Sequence, residues 1–127
     1  MRVIVVRHAE AAPGEPDEVR ALTREGREAA RALGARLARE AIDAVVSSPL
    51  LRARETATEI AKAAALEPEV DARLAPGASA DDMRAAAEGR GDTVVVVGHQ
   101  PDCGDAVLAL TGREVEFAPA GAVEVHL

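Results

Sequence analysis

Four consecutive valines, Val94 to Val97, run between Thr93 and Gly98 without a polar interruption. A strand of this kind has no face to show to water, so it needs cover on both sides, as in a parallel sheet packed between helices. Val3–Val6 and Ile42–Ser47 have the same character. Between these runs the periodicity changes to that of helices. Ala29, Ala30, Leu33, Leu37 and Ala41 recur at helical spacing over 24–40, behind Thr23 as N-cap and Glu25 in the first turn. A second helix is expected over 49–65, with Ser48 as its cap and Pro49 at its first position. Ser79 and Asp82 form a capping-box pattern ahead of a helix ending near Gly89. A further helix over 102–111, capped by Asp102, stops at Gly112. Residues 9–22 and 67–78 read as loops. Val115–Phe117 and Ala122–Leu127 read as two closing strands around a turn at Pro119-Ala120-Gly121. The alternation predicts an α/β fold: a three-layer α/β/α sandwich with a mostly parallel central sheet.

The 127 residues suit one domain, 1–127, with a compact core. Phe117 is the one aromatic residue, so Val, Leu, Ile and Ala must fill the interior. The net charge of −7 argues against a general basic field for nucleic acid. Any phosphate must be held by locally placed cations. The single cysteine, Cys103, permits no internal disulfide and fits a reducing compartment. It lacks a catalytic partner motif and reads as a packing residue. The apolar start is too short for a signal peptide or a membrane span, and no later stretch reaches membrane length. A cytoplasmic protein that does not engage membranes is expected.

In open α/β sheets, ligands bind beyond the carboxyl ends of the strands. Here the first strand ends in Arg7-His8. The second ends in Ser47-Ser48-Pro49, with Arg52 in the following first turn. The valine strand ends in Gly98-His99. Each signal is weak alone, but their meeting at one edge points to phosphoryl chemistry. Arginine offers paired, permanently protonated donors for phosphoryl oxygens. A cation at the positive end of a helix is tolerable where an anion sits between them. A neutral imidazole can attack phosphorus, provided a hydrogen bond to its other nitrogen fixes the tautomer. A second, protonated imidazole can stabilise the transferring group. No carboxylate–histidine cluster has metal-ligand spacing, so no metal or other cofactor is expected. His126, in the last strand, is expected to be structural, and Glu15, Asp17 and Glu18 to form a solvated loop that flanks the site, where they could repel acidic substrates.

Four segments resemble the histidine phosphatase (phosphoglycerate mutase-like) superfamily. They are Arg7-His8-Ala9-Glu10, Leu22-Thr23-Arg24-Glu25-Gly26, Ser48-Pro49-Leu50-Leu51-Arg52-Ala53-Arg54-Glu55-Thr56-Ala57 and Val97-Gly98-His99-Gln100-Pro101. The resemblance implies His8 as nucleophile, with Arg7, Arg52 and His99 binding phosphate and Ser48 beside them; Arg52, not Arg54, holds the motif position. Length points to the short SixA-type phosphohistidine phosphatases, because only Glu67–Asp92 stands where larger members insert a lid. Many members supply a general-acid Glu there, and Asp71–Gly77 offers no clear equivalent. Asp81, Asp82 and Glu10 are candidate substitutes, although helix capping explains the first two. The reading is a metal-independent phosphatase whose phosphate-bearing substrate is a phosphohistidine protein. A phosphatase of a small phosphomonoester and a non-catalytic phosphate- or phosphoprotein-binding module are the alternatives.

Overall fold

The computed structural model describes residues 1–127. Five strands form one sheet: β1 (Arg2–Arg7), β2 (Ala44–Ser47), β3 (Glu69–Val70), β4 (Thr93–Gly98) and β5 (Ala122–His126). Their order is β3-β2-β4-β1-β5. All neighbours are parallel except β1 and β5, which run antiparallel. Four helices cover it: α1 (Arg24–Leu37), α2 (Leu51–Ala63), α3 (Ala80–Ala87) and α4 (Asp102–Thr111).

The apolar runs explain the layering. Side chains alternate across a strand, so Val3, Val5, Val94 and Val96 join one core with Met83, Ala86, Ala106 and Val107 of α3 and α4. Ile4, Val6, Val95 and Val97 face the opposite way, onto Leu33, Leu37, Ala57 and Ile60 of α1 and α2. This is the expected three-layer sandwich, phosphoglycerate mutase-like in plan. The small side chains let α1 and α2 approach closely, and a Cβ on Gly34 would lie 2.9 Å from the Glu59 carbonyl oxygen. No helix is long and apolar enough to cross a membrane.

Several local expectations change. α1 stops at Leu37 rather than 40. α2 begins at Leu51 with Leu50 as its N-cap, so Pro49 precedes the helix and Ser48 does not cap it. α4 has Pro101 as its N-cap, and Asp102 instead accepts the Gly77 amide at 2.8 Å. Within 67–78, Glu69–Val70 adds a two-residue edge strand and Ala72–Leu74 a 3₁₀ turn that seats Leu74 in the core. Residues 9–22 likewise hold a short 3₁₀ turn, Asp17–Val19. Val115–Phe117 is not a strand. The outer edge of β5 stays free, and the segment instead turns Phe117 into the core and its carbonyl to the Arg7 guanidinium. The capping box of Ser79 and Asp82 is present as expected, and Gly112 closes α4 in the left-handed region at φ 76°.

Candidate active site

Strand register brings the sequence-predicted residues together. Arg7 of β1 is level with Gly98 of β4, and Ser47 of β2 is level with Val97. The next residues along these chains, His8, Ser48 and His99, therefore emerge side by side. The His8 amide donates to the Gly98 carbonyl at 3.0 Å, and the Ser48 amide to the Val97 carbonyl at 3.0 Å. β1 leads to α1 on one face of the sheet, whereas its neighbour β4 leads to α4 on the other. The chain thus parts between His8 and His99, which is where open α/β sheets form a crevice.

The rings of His8 and His99 lie 5.3 Å apart, centroid to centroid. His8 Nδ1 is 2.7 Å from the Ala9 carbonyl oxygen. A carbonyl can only accept, so Nδ1 carries the proton and Nε2 carries the lone pair. Burial, followed by the Arg52 and Arg7 charges, pushes the His8 pKa below its ordinary value, outweighing the upward pull of the Ala9 bond. His8 is therefore neutral at physiological pH. The loop behind it is tied to α2 by buried Thr56, whose hydroxyl accepts the Ala9 amide at 3.0 Å and donates to the Arg52 carbonyl at 2.8 Å. Gly26 holds the other side, because a Cβ there would run into the Glu10 carbonyl.

Arg52 is 8% exposed in the first turn of α2. Arg7 anchors one guanidinium edge by donating Nη1–H to the Phe117 carbonyl at 2.8 Å. Its Nε is buried without a partner, and so is His99 Nδ1. These are the two buried side-chain nitrogen or oxygen atoms in the protein that lack one. Buried polar atoms normally find partners, and both orphans belong to residues at the strand-end edge that also carries His8 and Ser48, which marks that edge as a candidate site. Arg7 Nε is a permanent donor, so the missing group must accept hydrogen bonds.

His99 differs from expectation in its charge. Its pKa is pushed down to about 4, first by burial and then by His8 and Arg52. The ring is neutral in the empty site, and protonation requires an anion beside it. The shift has a stability consequence. An unfolded chain takes up this proton near 6.5, the ordinary value, and the folded chain only near 4. The stabilisation is complete above 6.5 and is lost as pH falls towards 4. Between pH 7 and pH 4.5, denaturant titrations should show the wild type losing on the order of 2–3 kcal/mol more than His99→Gln. Equal losses would contradict the depressed pKa.

Ser48 is fully buried. Its Oγ lies 2.7 Å from His99 Nε2 and accepts the Leu50 amide at 3.2 Å. The hydroxyl expected beside the substrate is thus engaged internally, against His99. The carboxylates considered as acids lie elsewhere. Asp82 closes its capping box, Glu10 accepts the Thr23 hydroxyl at 2.8 Å, and Asp81 is exposed at the start of α3. The carboxylate that does reach the site is Asp17, which was expected to be solvated. Its Oδ2 is 3.2 Å from Arg52 Nη2, and its Oδ1 is 3.0 Å from Arg20 Nη1. Neither Asp17 nor Arg20 was legible in the sequence, since their i,i+3 spacing is common to countless loops. Cys103 is buried, its Sγ against the Val6 carbonyl, with its thiol pushed up to about 12 chiefly by burial. It is a packing residue. His126 is exposed beside Glu124 on the edge strand, away from the crevice.

Solved structures share this fold. A search of curated proteins finds no significant match. Among solved structures, the protein histidine phosphatase SixA complexed with tungstate superposes with a TM-score of 0.86 at 29% identity, over 100% of this chain and 88% of that one. The SixA structure from Agrobacterium tumefaciens gives 0.83 at 25% identity, over 97% and 89%. Mycobacterial glucosyl-3-phosphoglycerate phosphatase gives 0.74 at 19% identity, over 97% and 88%, a likeness of fold alone. The family model of the histidine phosphatase superfamily (branch 1) matches residues 3–76, more than half of the chain and including Arg7, His8, Ser48 and Arg52. On that match, joined to the strand-end geometry that His99 completes, this chain belongs to the histidine phosphatase superfamily.

Proposed function

We propose that residues 1–127 form one histidine phosphatase domain that removes phosphate from phosphohistidine on a protein, through a phosphohistidine intermediate on His8. The observation that carries the reading is the pair of unpartnered buried nitrogens, Arg7 Nε and His99 Nδ1, beside a neutral His8. A phosphoryl group offers equatorial oxygens to both. Arg7 and Arg52 grip those oxygens. The dianion supplies the counter-charge that lets His99 take a proton at Nδ1, while Nε2–H donates to Ser48. Ser48 thereby orients His99. His8 Nε2 attacks phosphorus, the N–P bond forms, and the bond to the leaving imidazole breaks. Water then attacks the phosphohistidine and releases inorganic phosphate, returning the lone pair to Nε2. No step in this scheme calls for a metal. The likeness to SixA, over nearly the full length of both chains, favours a protein phosphohistidine over a small ester. The single-cysteine composition fits a cytoplasmic setting.

The grip on phosphate is tested by arginine variants. Charge-assisted contacts are worth roughly 1.5–3 kcal/mol each, so Arg7→Ala and Arg52→Ala should each lower kcat/KM about tenfold to a hundredfold or more. Arg52→Lys should also be impaired, because a point charge does not replace a planar fork. Arg54→Ala should cost little. A larger loss at Arg54 than at Arg52 would overturn the assignment.

A further inference from the structure

The guanidinium of Arg52 is already engaged by an anion of the protein itself. Its Nη1 donates to the Asp17 backbone carbonyl at 2.9 Å and its Nη2 to the Asp17 carboxylate at 3.2 Å. The two contacts differ in kind. The backbone carbonyl is fixed in the 3₁₀ turn Asp17–Val19 and seats the guanidinium against the loop. The carboxylate belongs to a half-exposed side chain, its side-chain exposure being 54% against 10% for Arg52, and can turn.

From this geometry we infer that Asp17 sets the affinity of the site for phosphate: its carboxylate is a built-in competitor for the phosphate position on Arg52, and a phosphoryl group must displace it. The inference rests on the reading of Arg52 as a phosphate ligand. A phosphoryl oxygen that reaches Nη2 must share it with the carboxylate or replace it. Sharing sets two anions side by side on one guanidinium nitrogen, where they repel each other. Replacement is open because Arg20 stands ready. Its Nε is anchored on the Ala12 carbonyl at 2.9 Å, and its Nη1 already holds Asp17 Oδ1 at 3.0 Å. When Oδ2 leaves Arg52, the carboxylate stays paired with Arg20 rather than facing solvent alone. Arg20 thus parks the displaced group. Nor does Asp17 act as a general acid, since the bonds from Arg20 first and Arg52 second hold its carboxyl below the ordinary range.

The cost of displacement falls on every phosphate ligand alike. Asp17 therefore weakens inorganic phosphate and phosphate-bearing substrates by a similar factor, and so limits inhibition by the product.

Calorimetric titration with inorganic phosphate tests this, on wild type, Asp17→Asn, Asp17→Ser, Arg52→Ala and Asp17→Asn/Arg52→Ala. Removing the competing charge should tighten phosphate about tenfold in both Asp17 variants. It should lower KM for an aryl phosphate by a similar factor with little change in kcat. On the Arg52→Ala background the gain should vanish. If the Asp17 variants bind phosphate no more tightly, or more weakly, while Arg52→Ala weakens it, Asp17 merely positions Arg52 and the inference falls alone. If Arg52→Ala binds phosphate as the wild type does, the assignment of the site falls with it. Thermal unfolding of each variant separates these outcomes from loss of fold.

Discussion

Brief reaction of the wild type with a labelled phosphodonor should leave acid-labile, base-stable label on the protein, and His8→Ala should take up none. Turnover in that variant should fall on the order of a thousandfold or more, because no other group near phosphorus is placed to attack it. His8 presents Nε2 as the free nitrogen since Nδ1 is spent on Ala9. The second imidazole is not a substitute, since His99 Nε2 is held against Ser48 and, in the proposed complex, Nδ1 carries the proton it offers to a phosphoryl oxygen. Cys103 is no substitute either, with a thiol pushed up to about 12. The variant should remain folded, because the amide of residue 8, not its side chain, carries the bond to Gly98. Circular dichroism and thermal unfolding check that point. Label or normal turnover in His8→Ala would end the mechanism.

The second large effect concerns substrate. A phosphohistidine-bearing protein should show kcat/KM at least about a hundredfold above an aliphatic phosphomonoester, with an activated aryl phosphate between them. The structural reason lies in Glu67–Asp92. That segment is consumed by the core: β3 extends the sheet edge, Leu74 is wholly buried, and Met83, Ala86 and Ala87 of α3 pack against the strands. Nothing in it is left over to close on the crevice. A small leaving group therefore finds few contacts, whereas a protein can dock around an open site. Asp82 and Glu10 are engaged in local bonds, and Asp17 is held ionised by Arg20 and Arg52. No carboxyl group is thus poised to protonate an alkoxide. Imidazole leaves without that help more readily. An aliphatic ester emerging as the best of the three substrates, compared at one pH, would replace the reading with that of a small-molecule phosphatase.

The sequence by itself determined the layered fold and the edge at which the site lies. The reason is periodicity. Runs such as Val94–Val97 can only be strands covered twice, and a parallel sheet puts all its strand ends, hence Arg7-His8, Ser48 and Gly98-His99, on one side. The family resemblance picks Arg52 over Arg54, and the fold turns the first inward, 8% exposed, and the second outward. Tertiary structure alone decided what depends on which groups end up within a few ångströms. Val115–Phe117 alternates as a strand does, but Phe117 is drawn into the core and its carbonyl to Arg7, 110 residues away. Ser48 has the look of a helix cap, yet its hydroxyl is drawn to His99, 51 residues away. The neutral state of His99 follows from burial and from the Arg52 charge, neither of which local sequence encodes. Asp17 reads as one more loop carboxylate because its partner Arg52 is 35 residues distant. Periodicity is a property of neighbours in the chain and survives in the sequence. Hydrogen bonds and charge coupling are properties of neighbours in space, and these arise only once the sheet has set its register.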